Sequence, residues 1–205
     1  MEFIELAKER RSAINFQSDI KISDAELQEI FEVVKTHPSS FNIQTTHYYV
    51  AKSEEKKAKV KEASYGQHKT LSASATIIVC GDSEGYKEAP RLYEGMKLLG
   101  IMDELEYNDT IAAINNLYEN NSKFIEDDNI RNACLSAMLF MLAAKDQGWD
   151  TCPMHVHNVQ TIKEIYKIPE NHQPVLMITL GKSVKEKIRP RGYRKPVGEF
   201  VHFVD

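Results

Sequence analysis

Two stretches of this chain concentrate cations. One is Arg10-Arg11-Ser12, closing the first apolar-patterned segment. The other is Arg189-Pro190-Arg191, in a tail that also carries Lys182, Lys185, Lys187, Arg194 and Lys195. A guanidinium fork matches a phosphate dianion geometrically, and a serine hydroxyl adds a further donor. On its own, each cluster is more often a solvated basic surface. A third stretch, Pro38-Ser39-Ser40-Phe41-Asn42-Ile43-Gln44, gathers hydroxyls and amides around one aromatic residue. Such a loop can offer donors and acceptors to a flat heterocycle with an imide edge, although a capped turn uses the same residue types. Ser39 and Ser40 have no base or elbow motif beside them, which rejects a serine nucleophile. The fourth stretch is Cys152-Pro153-Met154-His155-Val156-His157-Asn158. His-x-His shares one face of a strand and could ligate a metal, but no third ligand stands nearby and no metal is expected. Cys152 reads by default as a small packed thiol.

The elements that must position these residues follow from periodicity. A short amphipathic helix opens the chain, with Phe3, Ile4, Leu6 and Ala7 near one face. A second starts at Ser23, where Glu26 completes a capping box, and ends at His37-Pro38 because the residue before proline leaves the α region. Residues 46–51 (THYYVA) are β-branched and aromatic, the pattern of a strand. Ser53 caps a charged helix through Glu62. Residues 75–80 (ATIIVC) and 175–180 (VLMITL) are continuous apolar runs closed by glycine, and read as buried strands. Residues 84–120 look helical but polar, an excursion from the main core. Residues 127–147 carry the strongest helix signal, with Ile130, Ala133, Cys134, Ala137, Met138, Met141 and Ala144 on an apolar face and Gly148 at C′. Asn158 is placed to cap a last short helix. The tail ends apolar (Phe200, Val201, Phe203, Val204), which suggests that it packs on a partner subunit. The class is α+β.

Composition narrows the function. The 205 residues suit one domain, with no repeat, linker or low-complexity tract. A net charge of −4 argues against nucleic acid or an anionic membrane as partner. Three scattered cysteines, Cys80, Cys134 and Cys152, with no CxxC pair point to a reducing, cytoplasmic setting. The longest apolar run, 133–144, spans about 12 residues, well short of the ~20 needed to cross a bilayer. G-x-G-x-x-G, G-x-x-x-x-G-K-[ST], G-x-S-x-G and HExxH are all missing, so any nucleotide must be held by side chains and irregular loops.

In this order, the segments resemble the nitroreductase family along essentially the whole chain. Its R-R-S-x-R-x-F motif stands here as residues 10–16, and P-S-S-x-N-x-Q is intact at 38–44. Gln67-His68-Lys69, the G-W-D-T-C-P-M stretch at 148–154, P-V-L-M-I-T-L-G-K and R-P-R-G-Y-R-K-P resemble later family segments. The resemblance implies a single domain over 1–205, with a central mostly antiparallel sheet flanked by helices and an intertwined homodimer holding FMN at its interface. Arg10, Arg11, Ser12, Lys69, Arg189 and Arg191 would hold ribityl and phosphate groups. Pro38, Ser39, Ser40, Asn42 and Gln44 would reach the ring from the other subunit. Gln67 would meet the pyrimidine edge, and backbone groups of Pro153, Met154 and His155 the N5/O4 side. NADH or NADPH would supply hydride in a ping-pong reaction with nitroaromatics or quinones, and no side chain is needed as a dedicated catalytic acid or base. Two residues depart from the pattern: Ile14 replaces a basic residue, and Val156 replaces a glycine in the ring-side loop. They motivate the alternative, a flavin-binding protein that stores or senses FMN without turnover. A basic-tailed interaction protein with no cofactor is a third reading.

Overall fold

The structure, a computed structural model, describes residues 2–184 and 190–204. Its centre is a sheet of four antiparallel strands: β1 (Thr46–Ala51), β2 (Ala75–Asp82), β3 (Asp150–Met154) and β4 (His172–Gly181), in the order β1-β2-β4-β3. The continuous apolar run of β2 arises because both faces of the sheet are covered. Ile77 and Val79 join one core with Ile178 and Leu180, while Ile78 and Cys80 point to a second with Met177. Alternate residues of a strand face opposite ways, so burial on both sides favours apolar residues throughout, and the one buried hydroxyl of β2, on Thr76, is paired with Tyr166 OH at 2.7 Å.

The first face packs α2 (Asp24–Val34) and the long α7 (Ser122–Asp146), through Leu27, Ile30, Ala133, Ala137, Phe140, Met141 and Ala144. The second packs α3 (Glu54–Ala63) and α8 (Val159–Tyr166), through Val60, Ala63, Ile162 and Tyr166. The remaining helices are α1 (Phe3–Glu9), α4 (Lys69–Ser72), α5 (Ala89–Leu98) and α6 (Glu104–Tyr118). Ile43, Ala89, Ile114 and Tyr118 form a small core of their own. This is the α+β arrangement that the sequence implies. Among the described residues no helix is long and apolar enough to cross a membrane.

Several boundaries differ from expectation for local reasons. The α7 helix starts earlier because the Asn121 side chain accepts from Phe124 N at 3.2 Å, and Gly148 (φ +78°) ends it at C′. Residues 84–120 contain two helices rather than one, separated by left-handed Gly100 and restarted by a capping box between Asp103 and Glu106. Asn158 occupies the N-cap position of α8, but its amide donates to Ala63 O at 2.8 Å instead of capping. Phe3 and Ile4 of α1 are exposed; Leu6 is the buried residue of that helix.

Candidate functional site

The segment carrying Arg10, Arg11 and Ser12 is stitched to the edge of the sheet. Ala13 N donates to Thr151 O at 2.9 Å, Ser12 forms a bridge with Thr151, and Gln17 N donates to Lys182 O at 2.9 Å. Phe16 anchors the far end, packed where a Cβ on Gly181 would come within 2.7 Å of its ring. Gly181 is therefore required by close approach, and Phe16 is buried against it.

Lys69 opens α4, and a second lysine holds that short helix in place. Lys57 is fully buried on α3, and its ammonium donates to Leu71 O at 3.1 Å, Ala73 O at 2.7 Å and Glu54 at 2.9 Å. The carbonyls left open at the end of α4 are thereby satisfied. Lys69 Nζ in turn donates to Cys152 Sγ at 3.3 Å.

Around this pair the charges are of one sign. Burial, then the like charges of Arg191 and Arg194, hold the Arg10 guanidinium below its ordinary value, with Cys152 opposing. Arg191 donates to the backbone carbonyls of Lys8 and Arg10. Arg10 is partly buried while Arg191 and Arg194 are exposed, and a bound anion would offset the repulsion among them. The structure thus brings Arg10, Ser12, Lys69, Arg191 and β3, with its Pro153 and Met154, into one neighbourhood. Arg11 lines an adjoining cavity of about 670 Å³ with Ser12, Ile14, Asn15, Lys182 and Arg191. Arg10 and Lys69 are not among the residues lining that cavity, whereas Ser12 and Arg191 belong to both groups. Gln67 lies just before α4, where its carbonyl accepts from Thr70. His155 follows β3 and is exposed. Val156 does not adopt a positive φ; Asn158 is the left-handed residue of that loop. Arg189 lies outside the described residues.

The loop at 38–44 is built differently. A turn over Ser40–Asn42 places Phe41, Asn42 and Gln44 at φ of 49°, 51° and 52°. Left-handed backbone at non-glycine residues is strained, for an aromatic most of all, and persists only where the surroundings over-determine it. Here they do. Ser40 N donates to Asn132 Oδ1 at 3.1 Å and Ser40 Oγ to Asp128 Oδ1 at 2.5 Å. Tyr93 OH donates to Phe41 O at 2.8 Å, and Gln44 N to Ser39 Oγ at 3.1 Å. The backbone is pinned while Pro38, Phe41, Asn42 and Gln44 stay exposed. The loop presents those four side chains outward, while Ile43 is buried.

Asp128 is the hub of that restraint. Besides Ser40 it accepts from Tyr118 OH at 2.7 Å and Asn132 Nδ2 at 2.8 Å. Asp128, Asn132 and Ser136 are all buried. Their i, i+4, i+8 spacing, which sets three polar side chains on one line of the helix, is the signal by which the sequence could have revealed them.

Within one chain these two groups sit toward opposite ends of α7. The loop touches Asp128 and Asn132, whereas the helix end near the cation cluster is tied by Lys145 to Asp150 at 3.0 Å. The helical rise from residue 128 to residue 145 corresponds to about 25 Å.

The sequence model of the nitroreductase family matches residues 7–182. A match over most of the chain decides the matter. The chain belongs to the nitroreductase family. It is 47% identical to MhqN of Bacillus subtilis, provisionally named as an NAD(P)H nitroreductase, over 99% of both chains. The crystal structure of a Bacillus subtilis protein provisionally named as the nitroreductase YdfN superposes with a TM-score of 0.95 at 46% identity, over 99% of each chain. A provisionally named nitroreductase of Exiguobacterium sibiricum, solved in complex with FMN, superposes with a TM-score of 0.89 at 28% identity, over 100% of this chain and 98% of that one. Both anchored segments of this nitroreductase-family chain, 10–16 and 38–44, fall inside the matched range.

Proposed function

We propose that this chain is an FMN-dependent oxidoreductase, one domain over 1–205, that takes hydride from NADH or NADPH and reduces electron-poor small molecules such as nitroaromatics or quinones. The observation that carries the reading is geometric: Arg10, Ser12, Lys69 and Arg191 gather at the β3 edge, a set of cations and a hydroxyl that matches a phosphate. The donor chemistry fits FMN. Arg10, Arg11, Ser12, Lys69 and Arg191 would hold its phosphate and ribityl groups, together with Arg189. Gln67 and the backbone of Pro153, Met154 and His155 would border the ring.

Pro38, Ser39, Ser40, Asn42 and Gln44 of the pinned loop would come to that ring from a second subunit, with Pro38, Asn42 and Gln44 presenting exposed side chains. Support for a homodimer is the apolar surface left open on the single chain. Leu135, Met138 and Ile130 of α7, Phe3 and Ile4 of α1, and Phe200, Phe203 and Val204 of the tail are all exposed. The three free cysteines suit a cytoplasmic setting.

Bound FMN would supply the redox chemistry, accepting hydride from a reduced nicotinamide and passing electrons to the acceptor. The chain's own residues bind and orient: Arg10 and Lys69 are the cations available to offset negative charge that develops on reduction. Donor and acceptor would use the same exposed face in turn, which makes the kinetics ping-pong. No described side chain is assigned as an acid or base.

Anaerobic titration of the flavin-loaded protein with NADH and NADPH tests this reading. Bleaching of the visible flavin band, reversed by a quinone or a nitroaromatic, is expected. A yellow protein that stays oxidised would instead support storage or sensing of FMN, with Ile14 and Val156 as the first residues to revert to the family pattern. A preparation that cannot be loaded with flavin would overturn both.

A further inference from the structure

Away from the cation cluster, the sheet gathers three potential ligands at one end. His47 is the second residue of β1, Asp82 the last of β2 and His172 the first of β4. These strands are adjacent, and their register pairs Asp82 directly with His172. The ligand atoms of the three side chains lie within 4.8 Å of one another. Asp82 Oδ2 is 3.5 Å from His172 Nε2 and 3.8 Å from His47 Nε2. The two imidazoles face each other with centroids 4.1 Å apart and planes inclined by 32°.

What surrounds the trio orients it. Asp82 Oδ1 is already engaged, accepting from Asn171 Nδ2 and from Glu84 N, each at 2.8 Å. Oδ2 is thereby turned toward the histidines. His172 Nδ1 lies 2.6 Å from the Tyr49 hydroxyl. A proton on Nδ1 donated to that hydroxyl leaves the Nε2 lone pair on the Asp82 side. Outer hydrogen bonds of this kind fix the tautomer and ring angle of a metal-bound histidine. The Asp82 and His172 side chains are 14% and 11% exposed, whereas His47 is 45% exposed, which leaves a path from solvent.

We propose that His47, Asp82 and His172 bind a divalent cation of the Zn²⁺ class, with water completing the coordination on the His47 side. Two imidazoles and one carboxylate select a borderline ion over Mg²⁺ or Ca²⁺, which prefer oxygen alone. Ligand edges near 3.3–3.4 Å are expected at roughly tetrahedral geometry with bonds of about 2.0–2.1 Å. The observed 3.5 and 3.8 Å edges are close to that, and the half-exposed His47 ring, now 4.1 Å from His172, would swing outward to about 5 Å between centroids on binding. The ion would cross-link the ends of three strands. It would also brace the start of β1, where Asp82 N donates to Thr45 O at 2.9 Å, immediately after the exposed loop at 38–44. This site shares no residue with the flavin reading, and either can fail without the other.

The test is calorimetric titration of tag-free, full-length protein, stripped with EDTA, with ZnCl₂, followed by thermal unfolding with and without the ion. One Zn²⁺ per chain and a raised Tm are expected, and Co²⁺ should give the intense visible bands of a tetrahedral site. His47→Ala alters a half-exposed side chain and is expected to fold. It should weaken Zn²⁺ binding at least about tenfold while leaving the metal-free Tm within a degree or so. Arg10→Ala should leave Zn²⁺ binding unchanged. Absence of stoichiometric uptake by the unmodified protein would overturn the proposal. So would uptake undiminished in the double variant His47→Ala/His172→Ala, which would move the ion to His155 and His157.

Discussion

At the residue scale, the chain's most consequential polar group is one with no chemistry of its own. Asp128 accepts hydrogen bonds from Ser40, Tyr118 and Asn132 and so holds a strained loop in its presented form. Truncation leaves three donors facing each other in a buried space. We expect Asp128→Ala to cost about 2–4 kcal/mol in denaturant unfolding. FMN affinity should fall at least about tenfold through the loop. Unchanged stability together with unchanged affinity would remove Asp128 from the account. Arg10 predicts the opposite pairing of effects. It is pressed by Arg191 and Arg194, so Arg10→Ala should leave the flavin-free Tm unchanged or slightly higher. The same change should raise the FMN dissociation constant by about 10- to 100-fold, as loss of a charge-assisted contact does. Fluorescence quenching of added FMN and differential scanning fluorimetry measure the two halves; a lower flavin-free Tm would show that Arg10 is structural instead.

At the scale of elements, positioning depends on contacts between strands and the irregular segments laid over them. Gly181→Ala forces a Cβ to within 2.7 Å of Phe16, so the 10–16 segment must shift or the edge of β4 must bend. Overpacking of this kind costs about 1–3 kcal/mol, and FMN binding should weaken with it. Asp150, at the start of β3, couples that edge to pH. Burial pushes its carboxyl up, but donors from Ser183 and Lys145 outweigh this and hold it below its ordinary range. A depressed folded value stabilises the fold above the unfolded pKa of about 3.9, and that contribution is lost as pH falls through the folded value. The stability gap between the unmodified protein and Asp150→Asn should therefore shrink as pH drops below about 4. A gap independent of pH would show that Asp150 is not the group responsible.

The strands β2 and β4 were legible because burial of both sheet faces writes a nearly continuous apolar run, and β1 because its residues are β-branched and aromatic. The edge strand β3 was not, since it is short and carries Pro153, which only an edge tolerates. The break between α5 and α6 was hidden because Gly100 is flanked by Leu98, Leu99, Ile101 and Met102, so the apolar pattern runs across it without a gap. Both motif groups could be read as motifs, yet their placement toward opposite ends of α7 could not, because it depends on packing. The trio at His47, Asp82 and His172 left no trace in sequence, being assembled from three strands far apart along the chain.

At the scale of the whole molecule, the proposed second subunit would cover the exposed apolar residues of α7 and of the tail. Leu135→Glu with Met138→Glu should convert a dimer into a monomer by light scattering and abolish FMN binding. An intact dimer would place the interface elsewhere. The most direct test of the shared site mixes two variants. Arg10→Ala removes one half and Asn42→Ala/Gln44→Ala the other; each is expected to be inactive in NAD(P)H-driven quinone reduction. Subunits exchanged at equal amounts should recover about a quarter of the unmodified sites, because each mixed dimer rebuilds one site from the intact halves. No recovery despite proven exchange would mean that both groups serve a site within one chain, contradicting the account.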